Sequence, residues 1–196
     1  VLMALIIVAL SRISMRLVND VLEAQGGGSA PYMARPPRRN LAVFAIAAYS
    51  AGEFLLPGHA VAGWLALAAA AAIANLLNDW HVGRALLQRW ALIPYLVYVC
   101  MALGYALIGL GRLSGNEMTS AGEHLLVVGS LGLAVLIVMA VAGRMHSGWG
   151  LDHRRWLPLG ALLFVLAALA RAGSSTPFGA AAATTGLHAA ATLWIA

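Results

Sequence analysis

The chain has 196 residues, 62% apolar and 10% charged, with a mean hydropathy of +0.85. A soluble domain carries about 25% charged and about 45–50% apolar residues, so this composition excludes a disordered chain and argues against a water-soluble globule. The net charge of +5 comes from 12 arginines and 7 acidic residues scattered between apolar runs, with no basic face for nucleic acid, and the single cysteine, Cys100, excludes a disulfide framework or a cysteine-based zinc site.

A helix that crosses a bilayer needs about 20 mostly apolar residues. Seven apolar runs stand out, at residues 1–10, 40–56, 60–77, 91–111, 121–143, 156–170 and 177–196. The pattern predicts an all-α, polytopic transmembrane helix bundle with about seven spans, forming one integral-membrane domain over 1–196. The first run is too short to cross and reads as the tail of a truncated span. The chain is therefore expected to be part of a larger polytopic protein, with the lipid bilayer and the remaining spans as its partners. Residues 24–39, with Gln25-Gly26-Gly27-Gly28-Ser29-Ala30-Pro31, are expected to form a flexible cytoplasmic loop. Pro94 and Pro158 fall near the first turns of their helices and Pro177 opens the last, where a missing N–H costs little. Trp80, Trp90, Tyr95, Trp149, Trp156 and Trp194 fall near span ends, where amphipathic rings favour the lipid–water boundary.

If the spans alternate, ten arginines fall on one side: Arg12, Arg16, Arg35, Arg38, Arg39, Arg84, Arg89, Arg144, Arg154 and Arg155. Arg112 and Arg171 fall on the other. This bias makes the arginine-rich side cytoplasmic. Glu53, His59, Met118, Glu123 and His124 then lie toward the opposite side, the periplasm in a bacterium.

Ionisable groups at membrane depth cost about 3 kcal/mol or more on insertion scales, so each calls for a reason. Glu53 either snorkels to water or carries a proton or supports a metal. His124, in Gly122-Glu123-His124-Leu125, is either a hydrated first-turn histidine or a haem or copper ligand, with Glu123 as a supporting group. His188, mid-run in the last span, either makes an interhelical hydrogen bond or ligates a metal. His59, His81, His146 and His153 fall in loops. The seven methionines form no cluster; Met101 and Met118 are the two candidates for a supporting role. No phosphate-binding loop, catalytic triad or CxxCH haem-attachment motif is present.

Several stretches together resemble the C-terminal half of the NnrS family of bacterial membrane proteins. The clearest is Glu123-His124-Leu125-Leu126-Val127-Val128-Gly129-Ser130-Leu131-Gly132, running into Gly143-Arg144. Ile93-Pro94-Tyr95 leading to Leu103-Gly104-Tyr105 is similar to the family's proline-led span, and Ser11-Arg12-Ile13 with Asn19 to an earlier segment. There are departures: Ala102 replaces a frequent histidine, Ser14-Met15-Arg16-Leu17 lacks the family's Pro and Phe, and His146 has no secure counterpart. The resemblance implies a haem- and copper-containing protein of the bacterial inner membrane. It also implies a role in the response to nitric oxide, alongside denitrification. On that basis His124 is the candidate haem or metal ligand, and Arg12 and Arg144 either pair with haem propionates or anchor helices. Two rivals come from other classes. One is a proton-coupled transporter using Glu53 and His188; the other is a structural membrane subunit without cofactor.

Overall fold

The structure, a computed structural model, describes residues 1–24, 31–80, 82–150, 154–175 and 183–195. Among them there is no strand. The helices are α1 (Leu2–Ala24), α2 (Pro36–Leu55), α3 (Ala60–Leu77), α4 (Arg89–Ser114), α5 (Met118–His146), α6 (Trp156–Ser174) and α7 (Ala183–Ile195). A short 3-10 turn, Gly83–Leu87, precedes α4. Five of these helices, α1, α3, α4, α5 and α6, are long and apolar enough to cross a membrane. By that measure the described residues supply five spans where about seven were expected. The helix α2 carries Arg38, Arg39 and Glu53, and the described part of α7 is 13 residues long.

The hub is α4, which packs against α1, α3, α5 and α6, while α2 lies on α3 and α7 on α6. Its inward face holds Val97, Tyr98, Met101, Tyr105 and Ile108, which meet Ile7, Leu10 and Leu17 of α1, Ile73 of α3 and Leu133 and Ile137 of α5 in one buried core. Outward, Leu159, Leu162, Leu166 and Leu169 form an exposed leucine stripe along α6, and Val127, Val135 and Met139 are exposed on α5. Helical spacing puts each set on one face. Such faces belong in contact with lipid tails.

Helix α5 comes close enough to α4 only because both lack side chains where they touch. A Cβ on Gly122 would overlap the Gly104 carbonyl and Ile108, and one on Gly104 would lie 2.7 Å from Leu126. Small residues at helix contacts are the usual means of close packing in membranes. Farther along, Gly129 faces Cys100 and Ala168, and Gly132 faces Phe164. The α4–α5 connection turns at Gly115, whose φ of +67° is the left-handed value that ends a helix.

Several expectations need correction. The first span is not short: α1 continues past Leu10 to Ala24 as one helix. The polar residues beyond Leu10 do not stop it, because Arg12, Arg16 and Asp20 recur every fourth position on its exposed side. On the other side Leu17, Val18, Val21 and Leu22 are buried. Arg12 therefore lies within a helix and not in a loop. Of the loop expected over 24–39, residues 36–39 are the first turn of α2 and residues 31–35 are tied down. The Tyr32 N–H donates to Asn19 Oδ1 at 2.7 Å, and Asn19 Nδ2 donates to the Tyr32 carbonyl at 3.1 Å. The Arg35 N–H donates to Asp79 Oδ2 at 3.0 Å. Pro94 stands in the second turn, since α4 begins at Arg89. Trp80 and Trp90 do stand at helix ends, but they face the protein and not lipid: each is 4% exposed, and Trp80 packs against Tyr32, Tyr95 and Tyr98.

Arg38, Arg89, Arg144 and Arg154 lie at one end of the bundle and Arg112 and Arg171 at the other, while Arg12 lies along α1 between them. At one end Asp79, its side chain fully buried, pairs with Arg38 at 2.7 Å and Arg35 at 3.8 Å. Arg89 donates to the Arg154 carbonyl at the same end, at 2.5 Å, and Arg144 donates to the Gly150 carbonyl at 2.6 Å in the connection from α5 to α6. At the other end are Arg112, paired with Glu53, and Arg171, in the last turn of α6.

Two measurements check this packing. Gly122→Val should destabilise the detergent-solubilised protein by about 1–3 kcal/mol through overpacking; an unchanged Tm would show that α4 and α5 do not meet there. Burial, with a further push from Asp79 against an opposing effect of Ser14, raises the Tyr32 hydroxyl from 10.0 to about 12. The folded protein then holds this proton where the unfolded chain has lost it. The contribution is complete below pH 10 and is lost as pH rises to about 12. Unfolding followed across that window should show a loss of stability that Tyr32→Phe reduces.

Candidate functional site

The sequence of α5 breaks its own regularity at the most interesting histidine. Residues Met118–His124 are α-helical, Leu125–Leu131 take the wider π form, and Gly132–His146 return to the α form. Single π turns inside helices occur frequently at functional sites. His124 closes the last regular turn. Its Nδ1 lies 2.6 Å from the Ser120 carbonyl, with the Ser120 hydroxyl at 3.5 Å. A carbonyl only accepts, so Nδ1 is the donor, and in the neutral imidazole Nε2 is the nitrogen that keeps the lone pair. A ring nitrogen held by a carbonyl while the other stays free is the arrangement that orients a metal-ligating histidine.

The half-buried His124 lines a groove of about 320 Å³ between α5, α6 and α7. The other walls are Val128, Ala167, Leu187, Ala190, Ala191, Trp194 and Ile195, with Arg171 as the one guanidinium. An apolar groove with few polar groups is the usual form of a small-molecule or cofactor site. Its chemistry suits a flat, largely apolar ligand that takes one imidazole nitrogen. A haem would fit this donor set, with His124 as the residue that would hold it. Copper does not: among the described residues no three His, Cys, Asp or Glu side chains come together.

The remaining candidates lie elsewhere. Glu123 is exposed and does not line the groove. His188 sits on the exposed side of α7, outside the groove that its neighbour Leu187 lines. Met101 is fully buried in the core of α4. Arg144 lies on the same helix as His124 but 20 residues on, about 30 Å away at 1.5 Å per residue. There it binds its own connecting loop and stands over the Trp149 ring at 5.6 Å. Arg12 is on α1, which packs on α2 and α4. Neither arginine is brought to His124; Arg171, which sequence reasoning did not single out, is. His81 and His153 lie outside the described residues. His59 caps α3, its Nδ1 accepting the Val61 N–H at 3.2 Å.

Glu53 is engaged with Arg112, across the ends of α2 and α4, both side chains 30% exposed. Glu53 Oε2 and Arg112 Nε are buried and make no other hydrogen bond among the described residues. Tyr49 and Tyr105 meet edge to face beneath the pair, 5.4 Å apart. The structure does not bring Glu53 and His188 together, as a shared proton path would need. Glu53→Gln should cost about 1–2 kcal/mol, since the pair is partly solvated. In a double-mutant cycle with Arg112→Gln, a summed loss equal to that of the double variant would show no coupling.

Comparison with known proteins gives one result. No curated protein and no solved structure matches the chain. A family model described as NnrS protein matches residues 1–196, which carry the histidine of the groove and every helix around it, and the chain belongs to the NnrS family.

Proposed function

We propose that this chain forms the haem-binding part of an inner-membrane protein of the bacterial response to nitric oxide, with His124 as the residue that would hold the haem. The observation that carries the reading is the fixed ring of His124, bonded through Nδ1 to Ser120 and placed on an apolar groove. Haem would supply an iron able to take a diatomic ligand such as nitric oxide. The chain's own contributions are the imidazole, its fixed tautomer, and walls that keep water from the apolar part of the ligand. The role in nitric oxide response and denitrification rests on the family. Among the described residues no group of three His, Cys, Asp or Glu side chains stands ready for copper, so this reading gives copper no site among them. Positive-inside bias supports placing the Arg38, Arg89 and Arg144 end in the cytoplasm and the groove near the periplasm.

The test is haem content per mole of the complete, purified protein. His124→Gly should lower it severalfold and alter the absorption spectrum of what remains, and added imidazole should restore the spectrum. Unchanged content and spectrum in a folded His124→Gly protein would remove His124 as a ligand.

A further inference from the structure

At the same groove stands a cation that pairs with no carboxylate among the described residues. Arg171 is half-buried in the last turn of α6 and lines the groove with His124. Among the described residues its guanidinium reaches only the hydroxyls of Ser174 and Ser175, each at a long 3.4 Å. Those hydroxyls are themselves turned to the Arg171 carbonyl, at 2.8 and 3.2 Å. Among the described residues the carboxylates that form ion pairs are committed elsewhere, Glu53 to Arg112 and Asp79 to Arg35 and Arg38. Glu117 and Glu123, on the same side of the bundle, are exposed and line no part of the groove. A partly desolvated guanidinium beside apolar walls leaves a planar fork of donors suited to a carboxylate.

We propose that Arg171 anchors a propionate carboxylate of the haem that His124 ligates, so that the groove reads its ligand at two points, iron and carboxylate. The proposal rests on the assignment of His124 as ligand. It replaces the two arginines suggested by sequence. Arg144 is bonded to its own loop far along α5, and Arg12 is on a helix that does not wall the groove. Arg171 is a positioning residue here: it sets the seat of the ligand and, as a nearby positive charge, disfavours the more positive oxidised iron.

The complete protein, depleted of haem, is titrated with protohaem and with its dimethyl ester, in which the propionate charges are gone. Wild type should prefer protohaem by about 10- to 100-fold, the range of a charge-assisted hydrogen bond. Arg171→Gln should lose that preference, with affinity for the ester unchanged and the midpoint potential lowered, and Arg171→Lys should recover part of it. Arg12→Gln and Arg144→Gln should behave as wild type. Equal binding of the two haems by wild type, or an Arg171→Gln loss of the same size for both, overturns the anchor. The spectrum separates this failure from that of the ligand assignment. If His124→Gly alters the spectrum while the ester binds like protohaem, only the anchor falls. If His124→Gly leaves the spectrum unchanged, both fall. Retention of the preference by Arg171→Gln would assign any carboxylate contact to another residue and overturn the proposal. A lipid occupant would appear as equal, weak and detergent-dependent binding of both haems, and would overturn it too.

Discussion

The close approach of α4 and α5 at Gly104 and Gly122 governs the half of this bundle that holds His124. With Gly122 set against the Gly104 carbonyl, the start of α5 has little freedom to slide or rotate. Two residues later comes His124, so the position of its ring follows from that contact. The same helix then meets α6 through Gly129 against Ala168 and Gly132 against Phe164. These contacts let α6 bring Ala167 and Arg171 to the groove wall. A side chain larger than hydrogen at the first contact would shift each of the later ones.

Polar groups in this apolar setting are sorted by what they can bind nearby. Asp79 lies fully buried because two arginines and the Arg35 N–H converge on it, which also fixes the entry to α2. Asn19 does the same for Tyr32, offering one donor and one acceptor to a single backbone unit. Glu53 and Arg112 neutralise each other where α2 and α4 end. Unpaired charges are costly at such depth, and Glu53 and Asp79 are neutralised by the arginines beside them. Among the described residues the Arg171 guanidinium and the His124 ring keep capacity for a further partner, and both residues line one groove. That coincidence gives the groove its functional interest.

The π segment explains why a reading based on a regular helix goes only part of the way here. At 100° per residue, Gly132 falls about 80° from His124 and Gly129 about 140°, so only Gly132 would share its face. Residues Leu125–Leu131 intervene in the wider form, so that spacing does not apply between them. In the folded chain Gly132 faces α6 and Gly129 sits between α4 and α6, the helix that also supplies Ala167 and Arg171 beside His124. The neighbour that the small residues admit is a helix, and the ligand groove opens beyond it, toward α7.

The sequence by itself determined the helical class, the apolar segments and the sorting of arginines to two ends. These depend on composition and local spacing: runs of apolar residues long enough for a bilayer, and the side of the chain on which Arg38, Arg89, Arg112 and Arg171 fall. It also pointed to His124, because a histidine between apolar runs is conspicuous and its surroundings resemble the NnrS family. Tertiary structure decided what the polar residues do. Whether Arg12 ends a helix or rides on one depends on the buried face opposite it, where Leu17 and Val18 pack. Whether Glu53 is a free carboxylate depends on Arg112, 59 residues away in sequence. Arg171 joins His124 only because α5 and α6 lie together, a contact across 47 residues that no local pattern records.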